Sequence, residues 1–253
     1  MPRRQGDERG PLRSPSRTGM DMLSLPPEQR GQSVQAMFAR IAPHYDRMNR
    51  LMTAGQDTRW RQEVIRRAAL PPGGRLLDLG AGTGDLAMEA VRRCPGSRVV
   101  AADFTLQMML VGKRRYTTLQ DWSAADALCL PFPDETFDAV VSGYLLRNVS
   151  HLAQALAEQR RVLKPGGRIV ALDTTRPPRG LLRPFISFYL HTVIPAVGRL
   201  LTGEAEAYTY LPDSTQGFLS AEQLAARLGE AGFHQVGFRR LMFATMAIHW
   251  GAK

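Results

Sequence analysis

The stretch "LLDLGAGTGDLA", residues 76–87, decides how the rest of the chain is read. A short apolar run carrying one acid, Asp78, gives way to Gly80, Gly82 and Gly84, and helical spacing begins there. Strand, glycine turn and helix in that order bring backbone amides to the carboxyl edge of a sheet, where glycines let them approach a ligand closely. The spacing is G-x-G-x-G rather than the G-x-G-x-x-G dinucleotide fingerprint, and a plain tight turn would use the same residues. Its context is what gives it weight.

Outward from this turn, "RVVAADF" (98–104), "FDAVVSGY" (137–144) and "RIVALDTT" (168–175) are short apolar runs separated by helical segments at 84–94 and 151–163. Strands alternating with helices imply a parallel sheet covered on both faces. Near the C-terminus, "SAEQLAARLGEAGF" (220–233) reads as a helix capped by Ser220, and the runs 234–242 and 243–250 follow with no helix between them, so they should pair antiparallel. The expected fold is α/β: a doubly wound, mostly parallel seven-stranded sheet with an antiparallel edge strand. Upstream, 34–51 has helical spacing broken at Pro43, and 60–70 continues as a second amphipathic helix. Residues 176–219 read as a cap insertion within a single domain spanning 31–253.

Residues 1–30 are rich in Arg, Pro, Gly and Ser and lack hydrophobic periodicity, which predicts a disordered tail. They resemble neither a secretory signal nor an amphipathic, acid-poor presequence, and a start at Met20 or Met22 would account for them equally. The chain has 253 residues, 44% of them apolar, a net charge of +10 and two cysteines, Cys94 and Cys129, without metal-ligand spacing. A disulfide scaffold and structural zinc are therefore poor readings, and a reducing cytoplasm fits. No window is long and apolar enough for a transmembrane helix. The positive charge suits an anionic partner, although Arg-rich composition alone produces it. A nucleic-acid partner is not expected: there is no Asn-Pro-Pro-aromatic run and no Pro-Cys pair.

Asp103 ends the second apolar run, where a carboxylate can accept from the vicinal hydroxyls of a ribose; the competing role is an N-cap, since a helical run starts at Thr105. Asp126, in "ADALCLPFPDETFDAVV" (125–141), can accept from an exocyclic adenine amine and the Ala127 amide can donate to a ring nitrogen, unless Asp126 is simply a solvated loop acid.

With "LDLGAGTGD", Asp103, "DALCLPFPDETFD" and "RVLKPGGRIV" in place, the chain resembles the class I S-adenosylmethionine-dependent methyltransferases from about Gly73 to Val170. It is similar, from about Val34 to the C-terminus, to the quinone C-methyltransferases of menaquinone and ubiquinone synthesis, through "MFARIAPHYDRMNRLMT", "LLRNV", "RPFISFYLHTVIPAVGRLLTG", "AYTYLPDS" and "LGEAGFHQVGFRRL". The resemblance implies S-adenosylmethionine as cofactor, bound by Gly80, Gly82, Thr83, Gly84, Asp103, Asp126, Ala127 and Gly143. It implies a prenylated quinol as methyl acceptor and Tyr45, Arg147 and Asn148 as the catalytic group, with Arg147 held by the other two. Because arginine is almost never neutral, its expected role is to stabilise a developing phenolate. His44 is a candidate base, although a histidine at a helix break is also a capping or surface group, and His151, His191, His234 and His249 read as structural.

Where the subgroup has Ser-Phe-Gly-Leu-Arg-Asn, this chain has Gly143-Tyr144-Leu145-Leu146-Arg147-Asn148. The serine's cofactor contact is lost or moves to Ser142, and Leu145 narrows the pocket. In the cap, Arg176, Arg179, Arg183 and Arg199 alternate with apolar residues such as Phe185, Phe188 and Ile194, a pattern that suits peripheral contact with an anionic membrane or packing over the pocket. The expected activity is methylation of demethylmenaquinol in the cytoplasm, at the inner face of the membrane. The open alternatives are another phenolic or lipid acceptor, the ubiquinone precursor among them, and a non-catalytic scaffold; a homodimer is compatible with all of these.

Overall fold

The computed structural model describes residues 26–176, 188–193, 214–215 and 217–253. Its strands are β1 (Arg75–Leu79), β2 (Arg98–Asp103), β3 (Asp121–Ala124), β4 (Phe137–Gly143), β5 (Leu163–Thr174), β6 (His234–Leu241) and β7 (Met246–Ala252). They form one sheet in the order β3-β2-β1-β4-β5-β7-β6. β1 to β5 are mutually parallel, and β7 runs against both β5 and β6. The expected hairpin thus closes the sheet, with the reversed strand one place inside the edge and β6 outermost. Strand order reverses on either side of β1, and the crevice at such a switch point is where open α/β sheets bind ligands.

Alternation along β1 assigns its two faces. Leu77 and Leu79 pack with Val140, Ile169 and Ala171 beneath α6 (Leu152–Val162) and α7 (Ala221–Glu230). Leu76 packs on the other side with Val99, Val141 and Val170, beneath α3 (Asp57–Ala68) and α4 (Asp85–Arg93). Both faces being covered, the strands read as continuous apolar runs. α7 carries the cap foreseen for it: Ser220 and Gln223 form a reciprocal capping box.

Two further helices, α1 (Pro27–Ile41) and α2 (Tyr45–Met52), turn at Ala42–His44 and bury Val34, Met37, Ile41 and Met48 between them. Helix α1 begins inside the segment expected to be a tail; its first turn is polar, so no apolar spacing announces it, while Pro27 at the first helical position suits a helix start. Residues 1–25 and most of the 176–219 insertion, including Arg179, Arg183, Phe185, Ile194 and Arg199, lie outside the described residues. Within the insertion, Tyr189–Val193 forms a π-helical turn whose Tyr189 hydroxyl donates to the Met52 carbonyl at 2.9 Å.

Helix α5 (Leu106–Arg115) reaches the glycine turn through Gly112. A Cβ there would lie 2.6 Å from the Thr83 carbonyl oxygen and against Trp122. Alanine would raise helix propensity by about 1 kcal/mol, but overpacking against backbone costs about 1–3 kcal/mol. Gly112→Ala is therefore expected to lower the melting temperature; a melt at or above the wild-type value would show that the turn can move aside.

Candidate active site

At the carboxyl edge lies a cavity of about 470 Å³. Its floor is Leu79, Gly80 and Gly82 from the end of β1, Gly143 to Leu145 from the end of β4, and Asp103 to Thr105 after β2; Val34, Phe38 and Tyr45 of α1 and α2 cover it. Gly80 and Gly82 have φ of +70° and +57°, a region that favours glycine. A Cβ at Gly80 would lie 2.9 Å from Leu145, and one at Gly82 would lie 3.2 Å from Met108. Gly84, at φ +84°, faces Trp122 and does not line this cavity; its lack of a side chain lets α4 approach β3.

Asp103 is buried, and its carboxylate accepts from the Gly82 and Thr105 amides, each at 2.7 Å. Burial pushes its pKa up against those hydrogen bonds. An ionised carboxylate has about four acceptor sites, so the cap to Thr105 leaves capacity for a ribose. Asp126 is exposed on the cavity wall, where it accepts from the Leu128 amide at 2.9 Å; the Ala127 beside it is buried and lines the same wall.

Beneath the glycine turn is a second chamber of about 40 Å³, lined by Tyr45, Asn49, Arg61, Asp78, Thr83, Asp85 and Tyr144 among others. Three of its lining residues carry a buried polar atom with no hydrogen-bond partner among the described residues: Asp78 at Oδ1, Asn49 at Nδ2 and Tyr144 at its hydroxyl. Such atoms call for a ligand or water. Asp78 Oδ2 accepts from the Ala87 amide at 2.8 Å in the first turn of α4, and burial drives its pKa up to about 7.

Arg61 stands at the chamber wall between Asp85 at 2.6 Å and Asp57 at 3.1 Å. Burial opposes its charge, and those two carboxylates more than offset the effect. Asp46 of α2 accepts from Thr83 Oγ1 at 2.7 Å and from Arg115 at 2.5 Å, and Arg115 also reaches Asp85 at 3.2 Å. Thus α2, α3, α4 and α5 converge by charge on the glycine turn.

Arg147 does not line the cavity. Its guanidinium donates to Asp173 Oδ1 at 2.7 Å with both side chains almost fully buried, and it lies 5.3 Å from the centre of the Tyr144 ring. Asn148 does line the cavity, and its amide donates to the Tyr144 carbonyl at 2.9 Å. Asp173, not among the expected partners of Arg147, anchors the arginine. Burial raises the pKa of Tyr45, against the opposing influence of the neighbouring Asn49 and Arg147. Tyr144 is raised too, by burial and then by Tyr45. Both phenols are donors at neutral pH.

Among the histidines, His44 is exposed and makes no side-chain cap bond; His249 is buried, donates from Nε2 to the Ala221 carbonyl at 2.9 Å and is pushed below its usual pKa by burial. His151, read as structural, lines the cavity. The sequence reading missed Asp78, Asn49, Arg61 and Asp173. A signal existed for the two acids, each the single acid of an otherwise largely apolar strand; Asn49 and Arg61 sit in polar helical stretches with nothing to distinguish them.

This strand order, with a glycine-turn cavity at the switch point, is the fold of the class I S-adenosylmethionine-dependent methyltransferases. A SAM-dependent methyltransferase of Thermotoga maritima shares the fold, with TM-score 0.61 and 19% identity over 86% of this chain and 98% of that one. Residues 27–253 match the ubiE/COQ5 methyltransferase family, and the chain belongs to it. It is 47% identical over 225 residues to the ubiquinone/menaquinone biosynthesis C-methyltransferase UbiE of Desulfotalea psychrophila, covering 88% of this chain and 92% of that protein. It is 42% identical over 229 residues to the demethylmenaquinone methyltransferase of Roseiflexus castenholzii, covering 90% and 96%.

The cofactor of this enzyme is S-adenosylmethionine, and the chamber fits its amino-acid end. An unpartnered carboxylate oxygen suits an ammonium, and the Asn49 amide with the Arg61 guanidinium suits a carboxylate. Gly80, Gly82, Asp103, Asp126 and Ala127 line the larger cavity and would hold the nucleoside. What the cofactor supplies when bound is a methyl group already activated by a sulfonium; the chain's residues orient it and exclude water.

In the ligand-free protein Asp78 keeps its proton up to about pH 7, whereas an unfolded aspartate loses it near pH 4. The folded chain therefore holds the extra proton in that window, and stability falls as pH rises through it. Asp78→Asn should raise the melting temperature of ligand-free protein at pH 8, raise it less at pH 5, and weaken S-adenosylhomocysteine binding. Unchanged affinity in calorimetry would remove Asp78 from the cofactor site.

Proposed function

We propose that the protein methylates a ring carbon of a prenylated quinol, demethylmenaquinol. The observation that carries this reading is the match, over about nine tenths of both chains, to a protein named demethylmenaquinone methyltransferase. The site supports it in kind. Its larger cavity carries apolar side chains from Val34, Phe38, Leu79, Met108 and Leu145, as an aromatic acceptor requires, and two protonated phenols adjoin it.

Loss of a proton from a ring hydroxyl pushes electron density onto the neighbouring ring carbon, which is then the nucleophile. Tyr45 and Tyr144 are donors suited to the resulting oxyanion. Arg147, already neutralised by Asp173, acts on it through Tyr144 rather than from the cavity wall. Leu145, packed against Gly80, narrows the floor, and this favours a second reading in which the acceptor is a smaller phenol.

A prenylated substrate is met at a bilayer. Among the described residues no helix is long and apolar enough to cross one, so the reading includes peripheral contact through the cap, at the cytoplasmic face, with the homodimer as a further proposal. Purified protein given labelled S-adenosylmethionine and reduced demethylmenaquinone should place label in the quinone fraction. Label there only with a short phenol would favour the second reading, and none at all, with cofactor bound, would sink both.

A further inference from the structure

We propose that the Tyr144 hydroxyl is the hydrogen-bond donor that holds the acceptor's ring oxygen, and that Arg147 and Asn148 serve to hold Tyr144. This rests on the quinol reading above and deepens it.

Tyr144 has φ of +62°, a strained conformation for a bulky residue that persists only where its surroundings over-determine it. Here they do. Its amide donates to the Leu172 carbonyl at 2.7 Å, and its own carbonyl accepts from Asn148 Nδ2 at 2.9 Å. The Arg147 guanidinium, fixed by Asp173 at 2.7 Å, lies 5.3 Å from the ring centre. The strained turn thus holds a side chain whose hydroxyl, although buried, has no hydrogen-bond partner among the described residues. A buried hydroxyl left so is destabilising. A residue held this firmly with an idle polar atom is organised for something that arrives later.

The position of the ring says what arrives. Tyr144 and Tyr45 line both the large cavity and the small chamber, whereas Asp78, Asn49 and Arg61 line the chamber alone. The chamber's own groups serve the charged amino-acid end, and the two phenols stand at the junction with the space for the acceptor. Burial keeps Tyr144 protonated, so it donates and does not take the proton. An oxygen that gains negative charge during the reaction strengthens that bond in the transition state, where it accelerates the chemistry.

The test uses full-length Tyr144→Phe, which keeps the ring. Its kcat/KM for reduced demethylmenaquinone should fall about a hundredfold, as for loss of one oxyanion donor, while S-adenosylhomocysteine affinity by calorimetry stays at the wild-type value. The ligand-free melting temperature should be unchanged or higher, because the hydroxyl removed has no partner. Asn148→Ala should lower kcat/KM while keeping the same S-adenosylhomocysteine affinity. Wild-type kcat/KM in Tyr144→Phe overturns the proposal. So does a parallel loss of S-adenosylhomocysteine affinity, which assigns the hydroxyl to the cofactor, or a lowered melting temperature, which makes it structural. Wild-type kcat/KM in Asn148→Ala overturns the holding role. Wild-type protein that leaves the quinol unmethylated overturns this proposal and the function together, whereas active wild type with unaffected Tyr144→Phe overturns this one alone.

Discussion

Arg61, set between Asp57 and Asp85, is the interaction on which the site depends. It joins α3 to the first turn of α4 beside the glycine turn. Three carboxylates, those of Asp46, Asp57 and Asp85, gather in that region, and like charges repel unless cations divide them. Arg61 and Arg115 do so. Removing one partner of such a buried set costs more than the pair contributes, because the remaining charge is left in low dielectric. The arrangement therefore gives a definite geometry rather than large stability, and what it defines is the angle at which α2 brings Tyr45 and Asn49 over the sheet.

The strand ends do the complementary work from below. Asp78, Asp103, Tyr144 and Asp173 occupy the last positions of β1, β2, β4 and β5 or the residue just beyond them. At that edge parallel strands leave their final backbone groups unpaired, and side chains or ligands must complete them. Asp103 completes the glycine turn, Asp78 completes the start of α4, and Asp173 completes both the Arg147 guanidinium and its own neighbour, the Thr174 amide, at 2.8 Å. Of these four side chains, Tyr144 is the one that makes no hydrogen bond among the described residues.

Much of this was legible in the chain. The apolar runs and the glycine turn specify the sheet because period and turn chemistry are local, and the capping box at Ser220 was readable for the same reason. Asp103 and Asp126 could be placed on the cavity wall from their position after strands. The start of α1 could not, since a polar first turn carries no apolar spacing. Nor could the partner of Arg147 be known: Asp173 lies 26 residues away along the chain, and the pairing exists only because β4 and β5 are neighbours in the sheet. Contacts that depend on strand order become readable only once the order is known.

Trp122 gives the turn one more property. Its ring abuts both Gly84 and Gly112, while its indole nitrogen donates to the Leu119 carbonyl at 2.9 Å. The other two tryptophans, Trp60 and Trp250, lie on α3 and β7. An indole pressed between the cofactor turn and α5 is an optical gauge of that turn: any shift of the glycines changes what the ring touches, and with it the ring's emission.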